Sequence, residues 1–292
     1  MFSKINNITL LKNEPLCNHC SFRVGGNAKY FISAHNIDAI LDTIYTCSQH
    51  SIQYKILGGG SNMLFDDFGY SGVIVKYDNN FKQIKNNILY ASSGNSISEL
   101  IEYTQQYNVG GLEFAIGVPA LLGGAITNNL GAYNNDVSSY ITQVTILRNN
   151  YIVYLSKDDC NFSYHSSNLQ NSNSIILGAT FNLPSQDKHI TRTNALKYFN
   201  KRKTSQPLHL PNAGSIFKRT NDIIPAKLID ETHLKGLTIG NAQVSPKHAG
   251  FIVNLGNAKC SDILKLIELI KNKIYEKYKT NLQLEIEYLP YL

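Results

Sequence analysis

The 292-residue chain has no tryptophan, two methionines, eight prolines and five cysteines. Five is an odd number, and the cysteines lack the spacing of a disulfide scaffold, which fits a reducing cytosol. Cys17 and Cys20 form a lone C-x-x-C with no second pair and no flanking βαβ pattern, and read as two unpaired thiols near a turn. No apolar run is long enough to span a bilayer: the most apolar stretch, Phe114 to Ile126, is short and broken by Pro119 and by paired glycines. The start, Met1-Phe2-Ser3-Lys4-Ile5-Asn6-Asn7, lacks the apolar centre of a signal peptide, so a cytoplasmic protein without a membrane partner is expected. A basic stripe is missing too. The formal net charge is +6, yet the lysines are scattered and the densest cluster is Lys201-Arg202-Lys203. That argues against nucleic acid and for an anionic small molecule. No metal-ligand spacing, internal repeat or low-complexity tract is evident.

What is present suits a globular protein with a large core: 43% hydrophobic and 16% charged residues, at a length that fits one large or two medium domains. Tyr54 to Leu57, Met63 to Phe65 and Gly72 to Lys76 read as strands, the first two separated by a glycine turn. Ser96 to Tyr107 predicts a helix with Ser96 at its N-cap. Gln143 to Leu155 predicts a hairpin turning at Asn149-Asn150, and Ser174 to Leu183 another strand. The polar run Pro184 to Lys188 marks a domain boundary, giving 1–184, with a subdivision near 76–80, and 185–292. Beyond it come helices over Asn194–Lys203, Pro225–Thr232 and Ser261–Lys279, the last capped by Ser261 and Asp262, and a closing strand from Leu282 to Tyr288. Strands and helices without strict alternation predict an α+β fold.

Two segments are dense in glycine. Gly58-Gly59-Gly60-Ser61-Asn62 lies between two apolar strands. Its amides can converge on an anion, with Ser61 and Asn62 adding side-chain donors, although a tight hairpin turn explains the loop equally well. The spacing matches neither a dinucleotide fingerprint nor a Walker A loop. The second segment runs from Gly110 through Pro119, Gly123-Gly124-Ala125, Asn129 and Gly131-Ala132-Tyr133. Such backbone can lie flat against a large planar or diphosphate-bearing ligand. Together the two segments predict a dinucleotide-sized cofactor and leave FAD and NAD both open.

Over nearly its whole length the chain resembles the UDP-N-acetylenolpyruvoylglucosamine reductase family, in its compact form. The resemblance is carried by Ser21-Phe22-Arg23-Val24-Gly25-Gly26, Leu57 to Asn62, and Gly111 to Pro119 with its glycine-rich continuation. It continues in Lys201-Arg202-Lys203, Gln206-Pro207, Ala213-Gly214-Ser215-Ile216-Phe217-Lys218 and Ala226-Lys227-Leu228-Ile229. The last blocks are Val244-Ser245-Pro246-Lys247-His248-Ala249, Ile252-Val253-Asn254 and Leu284-Glu285-Ile286-Glu287. The resemblance implies a two-subdomain FAD-binding unit of the type shared with FAD-linked oxidases, followed by a C-terminal α+β substrate-binding domain. It also implies non-covalent FAD, NADPH as reductant, a monomer, and reduction of the enolpyruvyl ether to UDP-N-acetylmuramate for peptidoglycan. Gly58, Gly59, Gly60, Ser61, Asn62, Pro119, Gly123, Gly124, Ala125, Asn129, Gly131, Ala132 and Tyr133 are then the cofactor candidates.

By the same resemblance Ser215 matches the proton donor and Glu287 the catalytic carboxylate, while Tyr164, Arg202, Lys218 and His248 are substrate-binding candidates. The third catalytic position departs from the family pattern Tyr-Arg-x-Ser: this chain has Tyr164-His165-Ser166-Ser167. Arginine is always charged and presents a planar fork of donors, whereas an imidazole titrates near neutrality and offers at most two. Three readings of His165 follow: a weaker, pH-dependent electrophile, replacement of its role by Arg202 or Arg219, or an impaired enzyme. Pro119-Ala120-Leu121 departs too, since the family usually follows that proline with Gly and a small hydroxyl residue. Two alternatives to the reductase are a flavin-binding relic with little or no turnover and an FAD-linked oxidase of the same fold.

Overall fold

The computed structural model describes residues 1–170, 172–220 and 222–291. Six α-helices occur among them: α1 (Ile37–Gln49), α2 (Ile97–Gln106), α3 (Leu122–Thr127), α4 (Lys188–Ser205), α5 (Pro225–Glu231) and α6 (Cys260–Tyr278). With the strands they make the α+β fold expected from the sequence. The chain divides into two compact units, each discontinuous. One comprises 1–11, 31–59 and 73–201; the other comprises 12–30, 60–72 and 202–292.

The first unit holds a five-stranded antiparallel sheet ordered Tyr151–Ser156, Ile141–Arg148, Ile175–Asn182, Ile88–Ser92, Lys82–Lys85. The turn at Asn149-Asn150 has φ of +51° and +65°. Those left-handed angles suit asparagine and match the twist of a two-residue hairpin. Helix α2 is capped as its sequence predicts: Ser96 Oγ accepts from the Glu99 amide while the Glu99 carboxylate accepts from the Ser96 amide. Ile97, Leu100 and Ile101 from α2, Leu122, Ala125 and Ile126 from α3, and Val144, Ile146, Ala179 and Phe181 from the sheet form one buried core. The expected linker near Pro184 belongs to this unit. Gly110 donates its amide to the Pro184 carbonyl, and Gln186 donates its amide to the Asn108 carbonyl. The Gln186 side chain also bonds to Glu113 and Thr191. These bonds tie polar residues that read as a boundary into the first compact unit, whose last segment ends at 201, inside α4.

In the second unit Thr238–Ile239, Ala242–Val244 and Ile252–Asn254 form an antiparallel sheet. The buried face of α6 (Ile263, Leu266, Ile267, Ile270, Ile274) packs against the first two of these strands. The cap of α6 agrees with expectation at Asp262, whose carboxylate accepts from the Lys259 amide at 3.1 Å, and differs at Ser261. Ser261 lies inside the first turn, and its amide and that of Cys260 donate to the Asp67 carboxylate, at 3.0 and 2.6 Å. Asp67 supplies both acceptor oxygens and a negative charge to the positive end of α6, a partner far away in sequence. Burial, aided by the charges of Asp67 and Asp66, pushes the Cys260 thiol up to about 12. All five cysteines are free thiols, and burial likewise raises Cys20.

Met63–Phe65 pairs in parallel with Glu287–Leu289, whereas Tyr54–Ile56 pairs with Val73–Val75. The strands flanking the glycine loop therefore do not pair with each other, and the loop is no hairpin turn. At Gly60 φ is +65°, and an added Cβ would stand 2.0 Å from the His19 carbonyl oxygen and 2.8 Å from Cys20 Cα. Both obstacles are backbone or Cα atoms and cannot swing aside. Gly60→Ala is expected to destabilise the protein by about 2–4 kcal/mol through overpacking and backbone strain. Urea unfolding measures this, and an unchanged midpoint would refute the close approach.

Candidate active site

In the first unit the two glycine segments meet. A Cβ on Gly59 would lie 2.9 Å from the Pro119 carbonyl oxygen, and one on Gly58 would meet only Gly124 backbone, at 3.5 and 3.7 Å. A Cβ on Gly124 would meet nothing within 4 Å. Gly58 thus lies against the backbone of Gly124, and Gly124 is open on the side that a side chain would otherwise occupy, giving a floor of bare backbone. Among the described residues, the amides of Gly58 and Gly59 donate to no protein acceptor. Half-buried donors without partners are costly unless solvent or a ligand satisfies them. The floor and its open amides fit FAD, whose diphosphate accepts hydrogen bonds and whose ring system needs a surface without side chains. Gly123 is tighter, its amide donating to the Ser93 carbonyl at 3.0 Å.

Asn129 is 2% exposed, and its side-chain amide bonds at both ends inside the unit. Its Nδ2 donates to the Ser163 carbonyl at 2.8 Å and its Oδ1 accepts from the Ser138 amide at 3.2 Å. These two bonds hold loops together. Gly131 and Ala132 pair with Asp136 and Asn135 in a two-residue hairpin whose turn residues, Tyr133 and Asn134, have φ of +54° and +63°. A left-handed tyrosine is unusual. Its ring is held by stacking on Tyr198 at 4.9 Å, with the Lys201 ammonium 4.8 Å from the ring centroid.

Tyr164-His165 forms the tip of a second tight turn, closed by reciprocal amide–carbonyl bonds between Ser163 and Ser166. His165 takes the left-handed φ of +50°, its ring stacks on Tyr164 at 4.3 Å, and Tyr164 is exposed. The turn is tied to the end of α3 by three side chains: Asn129 to Ser163, Ser167 Oγ to the Thr127 carbonyl, and Gln170 Nε2 to Asn128. The cofactor candidates of α3 and the pair Tyr164-His165 therefore belong to one hydrogen-bonded assembly within the first unit.

The second unit gathers the others. Gly214 has φ of +76°, with its amide donating to Asn212 Oδ1. Ser215 follows it, exposed, and bridges Phe251. Ile216 accepts from the Glu285 amide at 2.8 Å, and Phe217 bridges Leu284. This antiparallel register sets Ser215 opposite Ile286, one residue before Glu287. Lys218, exposed, continues the same segment, its amide donating to the Gln283 carbonyl. Arg202 is buried and its guanidinium donates to Gln206 Oε1. His248 Nδ1 accepts from the Gly250 amide at 3.1 Å, and its ring lies edge-on to Phe251. Burial holds its pKa below the ordinary histidine value, favouring a neutral ring with the proton on Nε2. Asn62, expected to face a ligand, donates its side-chain amide to the Glu285 carbonyl at 3.0 Å.

Sequence reasoning missed Asp66, Asp67, Asn128 and Gln170. Tyr288, next to Glu287, donates to the Asp66 carboxylate, which raises the tyrosine pKa strongly. No local pattern announces such partners, because each pair is far apart in the chain. Asn129→Asp would replace the donor to Ser163 with a carboxylate oxygen facing a carbonyl. It is expected to cost about 2 kcal/mol, the scale of a buried polar group losing its partner. Urea unfolding checks this, and a wild-type midpoint would dismiss the bracing role.

A family model described as UDP-N-acetylenolpyruvoylglucosamine reductase, C-terminal domain, matches residues 206–289, and one described as FAD binding domain matches 28–150. A UDP-N-acetylenolpyruvoylglucosamine reductase of Clostridium botulinum is 39% identical over 288 residues, covering 97% of this chain and 93% of its own length. Its namesake in Caldicellulosiruptor saccharolyticus is 37% identical over 289 residues, with the same coverage. The crystal structure of the Thermus caldophilus reductase matches with a TM-score of 0.82 and 25% identity, covering 97% of this chain and 99% of that one. At this identity over nearly the whole length, the chain belongs to the UDP-N-acetylenolpyruvoylglucosamine reductase family.

Proposed function

We propose that the chain is an FAD-dependent, NADPH-consuming enzyme that reduces the enolpyruvyl group of UDP-N-acetylenolpyruvoylglucosamine, giving UDP-N-acetylmuramate for peptidoglycan. Family membership at 39% identity across 97% of the chain carries this reading. The floor of Gly58 and Gly124 supports the cofactor. FAD, when bound, supplies hydride transfer from NADPH to the terminal vinyl carbon of the substrate. The residues of the chain then have to bind the anionic substrate and complete the reduction. Charge builds on the carbon beside the substrate carboxylate, and that carbon needs a proton. Ser215 is the proposed donor. A hydroxyl is a weak acid, but a carbanion-like enolate is a strong base, and a hydroxyl stays protonated at every working pH. Support comes from its exposure and from a backbone fixed through Gly214, Phe251 and the Ile216–Glu285 bond. Glu287, one register position away across that ladder, is the proposed carboxylate of the same step. Lys218 and Arg202 are proposed to bind substrate anions, with Tyr164 and His248 as further contacts.

His165 is the proposed electrophile where the family has arginine. The proposed functional division places the cofactor part in 1–184 and the substrate part in 185–292. A monomer working in the cytoplasm is part of the proposal. Among the described residues no helix is long and apolar enough to cross a membrane. Sedimentation of the holoprotein tests the monomer.

The deciding experiment is anaerobic stopped-flow: the purified protein is reduced with NADPH, then mixed with UDP-N-acetylenolpyruvoylglucosamine. Fast return of the oxidised flavin spectrum is expected. A flavin that stays reduced would favour the relic, and reoxidation by oxygen alone would favour the oxidase. Ser215→Ala is expected to leave flavin reduction by NADPH intact and to slow substrate reduction by ~100-fold or more. Equal slowing of both half-reactions would dismiss the donor role. His165→Arg is expected to raise the rate of substrate reduction, because a guanidinium is always charged and offers a planar fork of donors. Unchanged or lower turnover would show a site re-engineered around histidine.

A further inference from the structure

In a parallel ladder, a residue on one strand accepts from one neighbour of its partner and donates to the other. Asn62, just before the strand Met63–Phe65, does half of this with its backbone: its carbonyl accepts from the Glu287 amide at 2.8 Å. The other half, donation to the Glu285 carbonyl, is made by its side-chain Nδ2 at 3.0 Å. The side chain thus extends the ladder by one step, where the chain turns away from the strand toward the glycines. The two bonds grip the main chain on either side of Ile286, and so fix the backbone from which the Glu287 side chain projects. Asp66 secures the far side, with its amide donating to the Leu289 carbonyl and its carboxylate accepting from Tyr288.

We infer that Asn62 is a positioning residue for Glu287, acting through the ladder, in place of the ligand contact that its glycine-rich motif suggests. The inference rests on the reading of Glu287 as the catalytic carboxylate. Asparagine suits the task because it combines a donor with the reach to span to the next strand. Alanine lacks the donor, and aspartate would set a carboxylate oxygen against a carbonyl.

A double-mutant cycle tests the inference on the FAD-loaded enzyme, using wild type, Asn62→Ala, Glu287→Gln and the double variant. Both half-reactions are followed anaerobically, with thermal melting and flavin absorbance recorded alongside. Asn62→Ala is expected to slow substrate reduction about tenfold relative to flavin reduction by NADPH, within the range for small misplacements of a catalytic group. In the Glu287→Gln background the same change is expected to cost less than about twofold, since the group it positions is already gone. A tenfold loss persisting in that background would overturn the inference. Equal slowing of both half-reactions together with flavin loss would make Asn62 a cofactor contact and overturn it as well. If Glu287→Gln alone leaves substrate reduction unchanged, the reading of Glu287 itself fails and takes the inference with it. Should Asn62→Ala not fold, the isosteric Asn62→Asp serves in the same cycle, with an equal or larger loss expected.

Discussion

The parallel pairing of Met63–Phe65 with Glu287–Leu289 is the constraint on which the second unit depends. It joins a segment next to the glycine loop to the last strand of the chain across more than two hundred residues. Around this short ladder the remaining bonds fall into place: Asn62 extends it at one end, Asp66 holds Leu289 and Tyr288 at the other, and Asp67 caps α6. Two or three backbone bonds are weak in water, each worth about 1 kcal/mol net. The buried Leu64, Phe65 and Ile286 keep this ladder dry and make breaking it costly.

In the first unit the equivalent role falls to buried and half-buried polar side chains. Asn129, Ser167 and Gln170 join α3 to the turn that carries Tyr164 and His165. Every bond in such a network must be satisfied for it to stabilise, and among the described residues no buried side-chain nitrogen or oxygen lacks a partner. The network explains how a glycine-rich segment of low intrinsic order can present a fixed surface. The glycines provide the open floor, while asparagine, serine and glutamine supply the rigidity that glycine cannot.

The departure at His165 is easier to understand in this setting. The residue sits at the tip of a two-residue turn with a left-handed backbone, stacked on Tyr164. Histidine is among the residues that tolerate such angles. Histidine therefore suits the backbone of this turn, and it offers a different donor geometry at the tip from an arginine's planar fork.

Local signals determined much of this protein. Period and capping residues marked α2, the Asn149-Asn150 hairpin, Pro225 opening α5 and the apolar face of α6, because each depends on neighbours within a few residues. Motif blocks likewise carried the family and the candidates Ser215, Glu287 and His165. The tertiary structure alone decided that Gly58–Asn62 is no hairpin, since its flanking strands pair with Val73–Val75 and Glu287–Leu289. It alone showed Asn129 and Asn62 spending their amides on the protein, Asp67 capping α6, and residues 185 and 186 bound to the first unit. The physical reason is common to all of these. A hydrogen-bonding side chain or strand edge announces in sequence that it needs a partner, but which partner it finds is set by how distant segments pack.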